Sequence, residues 1–273
     1  MQQHFFLKTL LVIFIFPFLA KAQSDIPLLV QGHYFSTGFG IPFTALRDLG
    51  HSPLRYVGSG IQNRTCYEHV QGNHIWKIES VTDNITLKPH TTPKPKHSYS
   101  AAQHQHIQIN VGYFQKVTNN IEGTLNTYIG GSWSLGVLVN QFKLPSNNLV
   151  GFEMNMSLSP VFHARYGWDA NKKLSYTASM PLVSVGLRPN YLGAAPMEWL
   201  IADSPAKPIL KSLKVYSLNK YFRFTHQVEF DKHLANKHIQ RLFYSFDYHC
   251  NDVSPKPLRY SSNAFGGQYM FNY

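Results

Sequence analysis

The sequence predicts an all-β fold, an antiparallel β-barrel of about ten strands that spans a membrane. Two observations support this. Apolar and polar residues alternate with a period of two through much of the chain after residue 23, and no helical stripe of useful length interrupts them. Charged residues make up 14% of the 273-residue chain and aromatic residues also make up 14%, a balance that suits an apolar exterior. Eight or twelve strands remain compatible with the pattern.

The first 22 residues have the organisation of a cleavable export signal. Lys8 precedes an apolar run over residues 9–20, and Ala20-Lys21-Ala22 is an A-x-A cleavage site. The alternative is an uncleaved membrane helix, but this run contains Pro17 and falls short of the roughly 20 residues that a spanning helix needs. We therefore expect a signal peptide over 1–22 and a barrel over 23–273.

Ten segments account for the rest of the chain. In the clearest example, Ile107, Ile109 and Val111 alternate with Gln108 and Asn110, so one face is apolar and the other polar. The other expected strands lie near Leu28–Phe39, Leu54–His69, His74–Leu87, Leu125–Asn140, Phe152–Ser159, Leu174–Met180 with a bulge at Pro181, Phe222–Asp231, Arg241–His249 and Leu258–Tyr273.

The connections between these segments alternate in length. The even-numbered ones are short, at Val70–Asn73, Thr118–Ile121, Asp169–Lys172 and Leu234–Asn236. The odd-numbered ones tend to be longer, at Gly40–Pro53, Lys88–His97, Leu144–Asn148, Arg188–Lys211 and Asn251–Pro257. Outer-membrane barrels have short periplasmic turns and longer external loops, and an even strand count leaves both termini on one side. We therefore expect both termini to be periplasmic.

The polar rows separate a membrane barrel from a soluble β domain, which would alternate in the same way. A soluble barrel usually carries many Lys and Glu residues on its water-facing rows, whereas these rows are mostly Ser, Asn, Gln, Thr and Gly. Small neutral side chains fit a narrow lumen. In the ten-strand register Cys66 and Cys250 fall near opposite ends of the barrel, too far apart to form a disulfide.

The last residues of the chain form a row of aromatic side chains at alternate positions, ending on the terminal residue: Phe265, Tyr269, Phe271 and Tyr273, with a gap at Gly267. This row resembles the sorting signal of bacterial outer-membrane barrels. The length and the aromatic content are similar to those of small Gram-negative, Bacteroidetes-type barrel proteins. The resemblance implies an outer-membrane location and recognition by the barrel-assembly machinery, which binds an unpaired aromatic strand.

A ladder of ionisable residues is the densest charged group on the polar faces. Arg223, Glu229 and Asp231 on one strand face Arg241, Asp247 and His249 on the next. These residues are either an acid/base site like the Asp and His clusters of barrel proteases, or a network of paired charges that fills a narrow lumen. The structural interpretation is preferred.

A serine nucleophile is the other catalytic candidate. Tyr260-Ser261-Ser262-Asn263-Ala264 is similar to the Ser-Asn pair of outer-membrane phospholipases and lipid A deacylases, but Tyr260 stands where those enzymes have a histidine. A serine nucleophile needs a base to accept its proton, and nothing local provides one. Ser262 therefore remains a weak candidate.

Neither a metal site nor a cofactor is predicted. His104 and His106 share one face of a strand, but two ligands are too few for a metal ion, so a surface or girdle position is the preferred interpretation. The net charge of +11 favours anionic partners, and export makes nucleic acid the least suitable of them. The Pro-rich loop that carries Lys88, Lys94 and Lys96 is expected either to contact lipopolysaccharide or simply to be solvated.

These observations favour a barrel with a filled lumen that acts as a non-enzymatic surface or envelope-structural protein. Fewer than 16 strands leave little room for an aqueous channel. The alternative is an outer-membrane hydrolase of the deacylase, phospholipase or protease kind that acts at the outer rim. Convergence of a Ser, Asp or His constellation at one mouth of the barrel would favour the hydrolase.

Overall fold

The computed structural model describes residues 31–49, 54–90, 101–119, 125–143, 148–169, 171–187, 213–217, 220–234, 236–252 and 257–273. Residues 1–22, expected to form the signal peptide, lie outside these ranges. The described strands are β1 (Gly32–Asp48), β2 (Arg55–Gln71), β3 (His74–Pro89), β4 (Ala102–Asn119), β5 (Leu125–Lys143), β6 (Asn148–Asp169), β7 (Lys172–Ser179), β8 (Val183–Leu187), β9 (Lys214–Ser217), β10 (Tyr221–His233), β11 (Ile239–Asn251) and β12 (Leu258–Asn272). No helix in these ranges has the length and hydropathy of a membrane span.

The strands close into an antiparallel barrel with ten strand positions. Each strand from β1 to β6 pairs with its neighbour in sequence, and β12 pairs with β1. At two of the ten positions the strand is interrupted, so that β7 and β8 share one position and β9 and β10 share the other. β7 pairs with the second half of β6 and β8 with the first half, on either side of the predicted bulge at Pro181. β9 pairs with β8, whereas β10 pairs with β7 and β11. The predicted ten-stranded barrel is confirmed.

The register fixes the tilt of the strands. A path that starts at Gly40 and steps from each residue to its cross-strand partner goes through β2, β3, β4 and β5 and reaches Glu153 on β6. The path in the other direction goes through β12, β11, β10 and β7 and reaches Arg165 on the same strand. The difference between positions 153 and 165 is a stagger of 12 residues. For ten strands this stagger corresponds to a tilt of about 40°, which is usual for membrane barrels.

The two ends of the barrel differ. The start of β1 and the end of β12 lie at one end together with the turn at Gly72 and Asn73, called here the terminal end, and the strand ends that flank the longer connections lie at the other, the loop end. In the turn between β2 and β3, Gly72 and Asn73 connect the paired residues Gln71 and His74, and Gly72 has a φ of 55°. Glycine adopts this left-handed conformation at no steric cost. The predicted alternation of short and long connections therefore corresponds to the two ends of the barrel.

The outer face of the barrel is apolar. Because successive side chains of a strand point to opposite faces, β1 directs Phe39, Ile41 and Phe43 outward, and each is more than half exposed. Towards the terminal end the outer face carries an aromatic row, in which Phe35 pairs with Tyr67 and Trp76 with Tyr113. An apolar band with aromatic side chains at its edge is typical of lipid-facing barrel surfaces.

A cluster of buried apolar side chains lies in the lumen near each end of the barrel. The loop-end cluster consists of Leu46, Tyr56, Ile85, Leu87, Ala102, Leu138, Phe142, Leu258 and Tyr260. The terminal-end cluster consists of Tyr34, Val70, Ile75, Phe114, Tyr128, Val161, Ile239 and Met270. On β2 and β3 the buried polar and charged side chains, among them Arg64, Glu79 and Asp83, lie between these two clusters.

The prediction for the first strand is wrong at its end. β1 continues to Asp48 instead of stopping at Phe39, so the expected loop Gly40–Pro53 is mostly strand. Gly40 faces the ring of Phe243, where an added Cβ would lie 3.0 Å from the ring. Glycine therefore leaves space for an inward aromatic group, and in this strand it does not mark a turn.

The two cysteines are unbonded, as predicted. Cys66 is buried in the lumen, where it lies opposite Ser36 and Glu79. Cys250 lies on the outer face near the loop end, opposite Arg259. The thiols are thus on different sides of the barrel wall.

Candidate functional site in the lumen

Arg241 is the centre of an ion-pair network near the terminal end of the lumen. Its Nε and Nη2 donate to Asp231 Oδ1 and Oδ2 at 2.7 and 2.8 Å, and its Nη1 donates to Glu229 Oε1 at 3.1 Å. Asp231 pairs directly with Arg241 across β10 and β11, so the bond follows from the strand register. All three side chains are buried. The fork of the guanidinium neutralises two carboxylates at once.

The network continues onto β2 and β3, whose inward faces are not predicted from the sequence. Lys77 Nζ lies 3.5 Å from Glu229 Oε1 and 3.5 Å from Glu79 Oε1. Arg64 Nε lies 3.4 Å from the same Glu79 oxygen, and Arg64 Nη2 donates to Gln227 Oε1 at 3.1 Å. The guanidinium of Arg64 also lies over a ring of the opposite wall, 4.6 Å from the centroid of Phe243. These ion pairs, hydrogen bonds and the contact with the Phe243 ring connect β2 and β3 to β10 and β11 across the lumen.

A second charged layer lies nearer the loop end. Arg223 donates to Asp247 from Nε at 2.9 Å and from Nη2 at 2.6 Å, which is the bidentate geometry of a strong ion pair. Arg223 Nη2 also donates to Gln108 on β4. Closer to the terminal end, Arg165 pairs with Glu68. The charged ladder predicted from the sequence therefore faces inward, and its arginines and carboxylates are paired.

The two histidines on β4 are in the lumen and not on the surface or in a girdle, so that interpretation is wrong. His104 is fully buried, with Nδ1 2.6 Å from Asn140 Oδ1. His106 Nδ1 lies 3.4 Å from Asp83 Oδ2, and Asp83 Oδ1 accepts a hydrogen bond from Gln62. Both histidines lie on the inward face of β4, opposite the face that carries Ile107 and Ile109, and this alternation is visible in the sequence. No group of three or more potential metal ligands occurs in the described part of the chain.

A cavity of about 130 Å³ lies between the charged layers. It is lined by hydroxyl groups, among them those of Ser132, Ser159, Ser179 and Ser262. Its lining also contains charged groups of the network, including Arg64, Lys77, Glu79, Asp83, Arg223 and Asp247. Its volume suits about four water molecules, and sites for drug-sized molecules are roughly 300 Å³ or more.

The remaining catalytic candidates do not form a nucleophile–base pair. Ser262 Oγ accepts a hydrogen bond from Thr44 Oγ1 at 3.0 Å, and no hydrogen bond joins it to a histidine within the described ranges. His249 Nε2 lies 3.1 Å from Glu153 Oε1 on the opposite wall. A serine nucleophile needs a base within hydrogen-bond reach, and Ser262 has an alcohol there instead.

Sequence reasoning missed the inward charges of β2 and β3, although their parity could have identified them. Glu79 and Asp83 share one face of β3 with Lys77, and Arg64 shares one face of β2 with Glu68. The outward rows of these strands include Ser59, Asn63 and Asn84 beside Ile61, so the two faces differ less in polarity than those of later strands. Weak contrast between the faces hid the alternation.

The predicted sorting row faces outward. Phe265 is 56% exposed and Tyr273 is 80% exposed, while Tyr269 packs against Phe271 with ring centroids 4.9 Å apart. In the closed barrel β12 pairs with both β1 and β11. Of the expected lipopolysaccharide-contact loop, Lys88 is exposed at the loop end, and Lys94 and Lys96 lie outside the described residues.

No protein-family model matches the chain, and no curated protein matches it. Solved structures with the same architecture do match. The outer membrane protease OmpT from Escherichia coli superposes with a TM-score of 0.58 at 6% identity, covering 93% of this chain and 99% of that one. Ail of Yersinia pestis matches with a TM-score of 0.35 at 8% identity, covering 89% and 100%. The superposition on OmpT supports the closed antiparallel fold of outer-membrane β-barrels for this chain.

Proposed function

We propose that this protein is an outer-membrane barrel with a filled lumen, both termini in the periplasm, and a non-enzymatic surface or envelope-structural role. The proposal includes export by a signal peptide that is cleaved after Ala22. It also includes recognition of the aromatic row ending at Tyr273 by the barrel-assembly machinery. The apolar outer face with its aromatic edge supports membrane residence, because such a surface is unfavourable in water.

The observation that carries the non-enzymatic role is the filled lumen. Buried apolar clusters lie in the lumen near each end, and the cavity between the charged layers has a volume of about 130 Å³. A lipid or peptide substrate does not fit in such a space. The arginines and carboxylates of the ladder are engaged in ion pairs between β10 and β11, and Lys77 on β3 joins Glu229 from across the lumen. Such pairing suits a structural network, since charges in a narrow lumen must be neutralised.

The second candidate function is a hydrolase, favoured by one geometric feature. Asp83 and His106 lie within 3.4 Å of each other beside the cavity, and Asp247 lines the same space. An aspartate next to a histidine is a common acid/base arrangement. The fold of OmpT, a protease, is compatible with this candidate, but a fold by itself does not carry an activity.

Asp247→Asn and Glu229→Gln variants distinguish the two functions. Each substitution leaves a buried arginine without its full counter-charge, so we expect a loss of a few kcal/mol in barrel stability. Parent and variants would be purified in detergent, heated in a gel-shift assay, and offered phospholipid, lipid A and peptide substrates. The expected result is a lower unfolding temperature for the variants and no hydrolysis by any of the three proteins.

Two results would contradict the proposal. If the parent cleaves a substrate and the variants fold equally well but do not cleave it, the ladder is an active site. If the parent is recovered from cells as a soluble protein without a heat-modifiable band, membrane residence is wrong. An Asn84→Gln variant, altered at an exposed outward amide, provides the control for purification and folding.

A further inference from the structure

Three arginines lie side by side on the outer surface at the loop end. Arg47 on β1 is the direct cross-strand partner of Arg259 on β12 and of Arg55 on β2. Lys88 on β3 pairs with Val57, two residues from Arg55, and extends the row. All four charged side chains are exposed. We call Arg259, Arg47, Arg55 and Lys88 the arginine row.

Like charges at directly paired positions repel each other and destabilise a sheet. No ion pair joins the arginine row to an acidic residue within the part of the chain that the structure describes. One acidic residue, Asp252, lies nearby, two positions beyond Cys250, which is the partner of Arg259. A pair of lysines at the terminal end provides a contrast: Lys172 and Lys232 are also partners, but Asp169 lies 2.8 Å from Lys172.

The row lies where a membrane lipid would place its head group. Arg47 is four residues beyond Phe43 on the same face of β1, roughly 13 Å along the strand from this apolar side chain. Two residues further from the loop end, the outer face carries the hydroxyl groups of Ser261 and Thr86 next to Ala45 and Val57. Cations at the edge of an apolar band, with hydroxyls among the side chains beneath them, match a phosphorylated sugar whose acyl chains lie along the band.

We propose that the arginine row is a binding site for the phosphate groups of lipopolysaccharide. This inference rests on the membrane residence in the proposed function and goes beyond the loop contact expected from Lys94 and Lys96. Guanidinium groups bind phosphate oxygens in bidentate fashion, so one phosphate between two arginines replaces their repulsion by attraction. The lipid thus becomes a fixed component of the barrel surface.

The test compares three full-length mature proteins in detergent: the parent, Arg47→Gln/Arg55→Gln/Arg259→Gln, and Lys172→Gln/Lys232→Gln/Lys237→Gln. The lysine variant removes the same charge from exposed positions at the other end. Each protein would be titrated with lipopolysaccharide and with chemically dephosphorylated lipopolysaccharide. We expect the parent and the lysine variant to bind the phosphorylated form at least roughly tenfold more tightly, and the arginine variant to lose this preference.

A second measurement does not depend on affinity. Without lipid, the arginine variant should unfold at the same or a higher temperature than the parent, because the repulsion is gone, and lipopolysaccharide should stabilise only the parent and the lysine variant. If the triple variant fails to fold, Arg47→Gln alone tests the centre of the row.

The inference is overturned if the parent shows no phosphate preference, if the lysine variant loses as much affinity as the arginine variant, or if phosphatidylglycerol competes as well as lipopolysaccharide. Any of these results leaves membrane residence standing, whereas failure of the parent to insert into membranes overturns the proposed function itself.

Discussion

The described arginines have two different environments, depending on whether their position on the strand faces into or out of the barrel. Arg241 is inward and holds Asp231 and Glu229, while Arg47 is outward beside two other arginines. A one-residue shift in register would exchange these environments, burying unpaired charge in the lumen. The ionisable residues therefore help to specify the register as well as to fill the lumen.

Arg241→Met should be strongly destabilising. It leaves Asp231 without its bidentate partner and Glu229 with only Lys77 and Gln227 as described partners, so we expect a loss of about 3–5 kcal/mol in unfolding free energy. Unfolding in urea, followed by gel shift in detergent, would measure it. Arg241→Met/Asp231→Met should recover part of the loss, because no charge at that pair remains unpaired. A double variant as unstable as the sum of the single ones would contradict the ion-pair explanation. Lys232→Met, at an exposed position, should change the stability by no more than about 0.5 kcal/mol.

At the scale of single strands, the sequence predicts the inward and outward faces of the later strands better than those of the first three. The outward rows of β10 and β11 are mostly aromatic or aliphatic and their inward rows are mostly polar or charged, so the two faces are easily distinguished. In β1 the inward row includes Gly38, Gly40 and Pro42, residues that usually mark turns. The role of Gly40 depends on Phe243, which belongs to a strand two positions away in the barrel. A local pattern cannot contain that contact.

Deletion of Phe271–Tyr273 separates assembly from stability. In the finished barrel these residues end β12, where Phe271 pairs with Phe35 and Tyr273 N donates to His33 O, so their loss removes only the last hydrogen bonds between β12 and β1. We expect the truncated protein to refold in detergent with an unfolding temperature close to that of the parent, but to be degraded or periplasmic in cells. Fractionation and gel shift of the same variant measure both properties. Phe35→Ala, which removes the paired aromatic side chain without altering the chain end, should reach the outer membrane normally. Normal outer-membrane levels of the truncated protein would contradict the sorting role.

At the scale of the whole molecule, the barrel separates its charges. The described acidic residues point into the lumen except Asp169 and Asp252, whereas many of the described cations lie on the outside at the two ends. Among the described residues, the excess of basic over acidic side chains is therefore at the surface. Composition alone predicts an anionic partner, but which end meets it follows from the three-dimensional arrangement, since the arginine row lies at the loop end.

The orientation of the barrel can be tested by labelling single cysteines. In a background with Cys66→Ala and Cys250→Ser, we would introduce Lys88→Cys at the loop end or Asn73→Cys in the turn at the terminal end, both exposed positions. If the termini are periplasmic, a membrane-impermeant maleimide should label the Lys88→Cys variant on intact cells. The Asn73→Cys variant should be labelled only after the outer membrane is permeabilised, because its turn then lies on the periplasmic side. Boiled samples of both variants should label equally, which controls for reactivity. The reverse pattern would place the loop end in the periplasm and would remove the lipopolysaccharide leaflet from the arginine row.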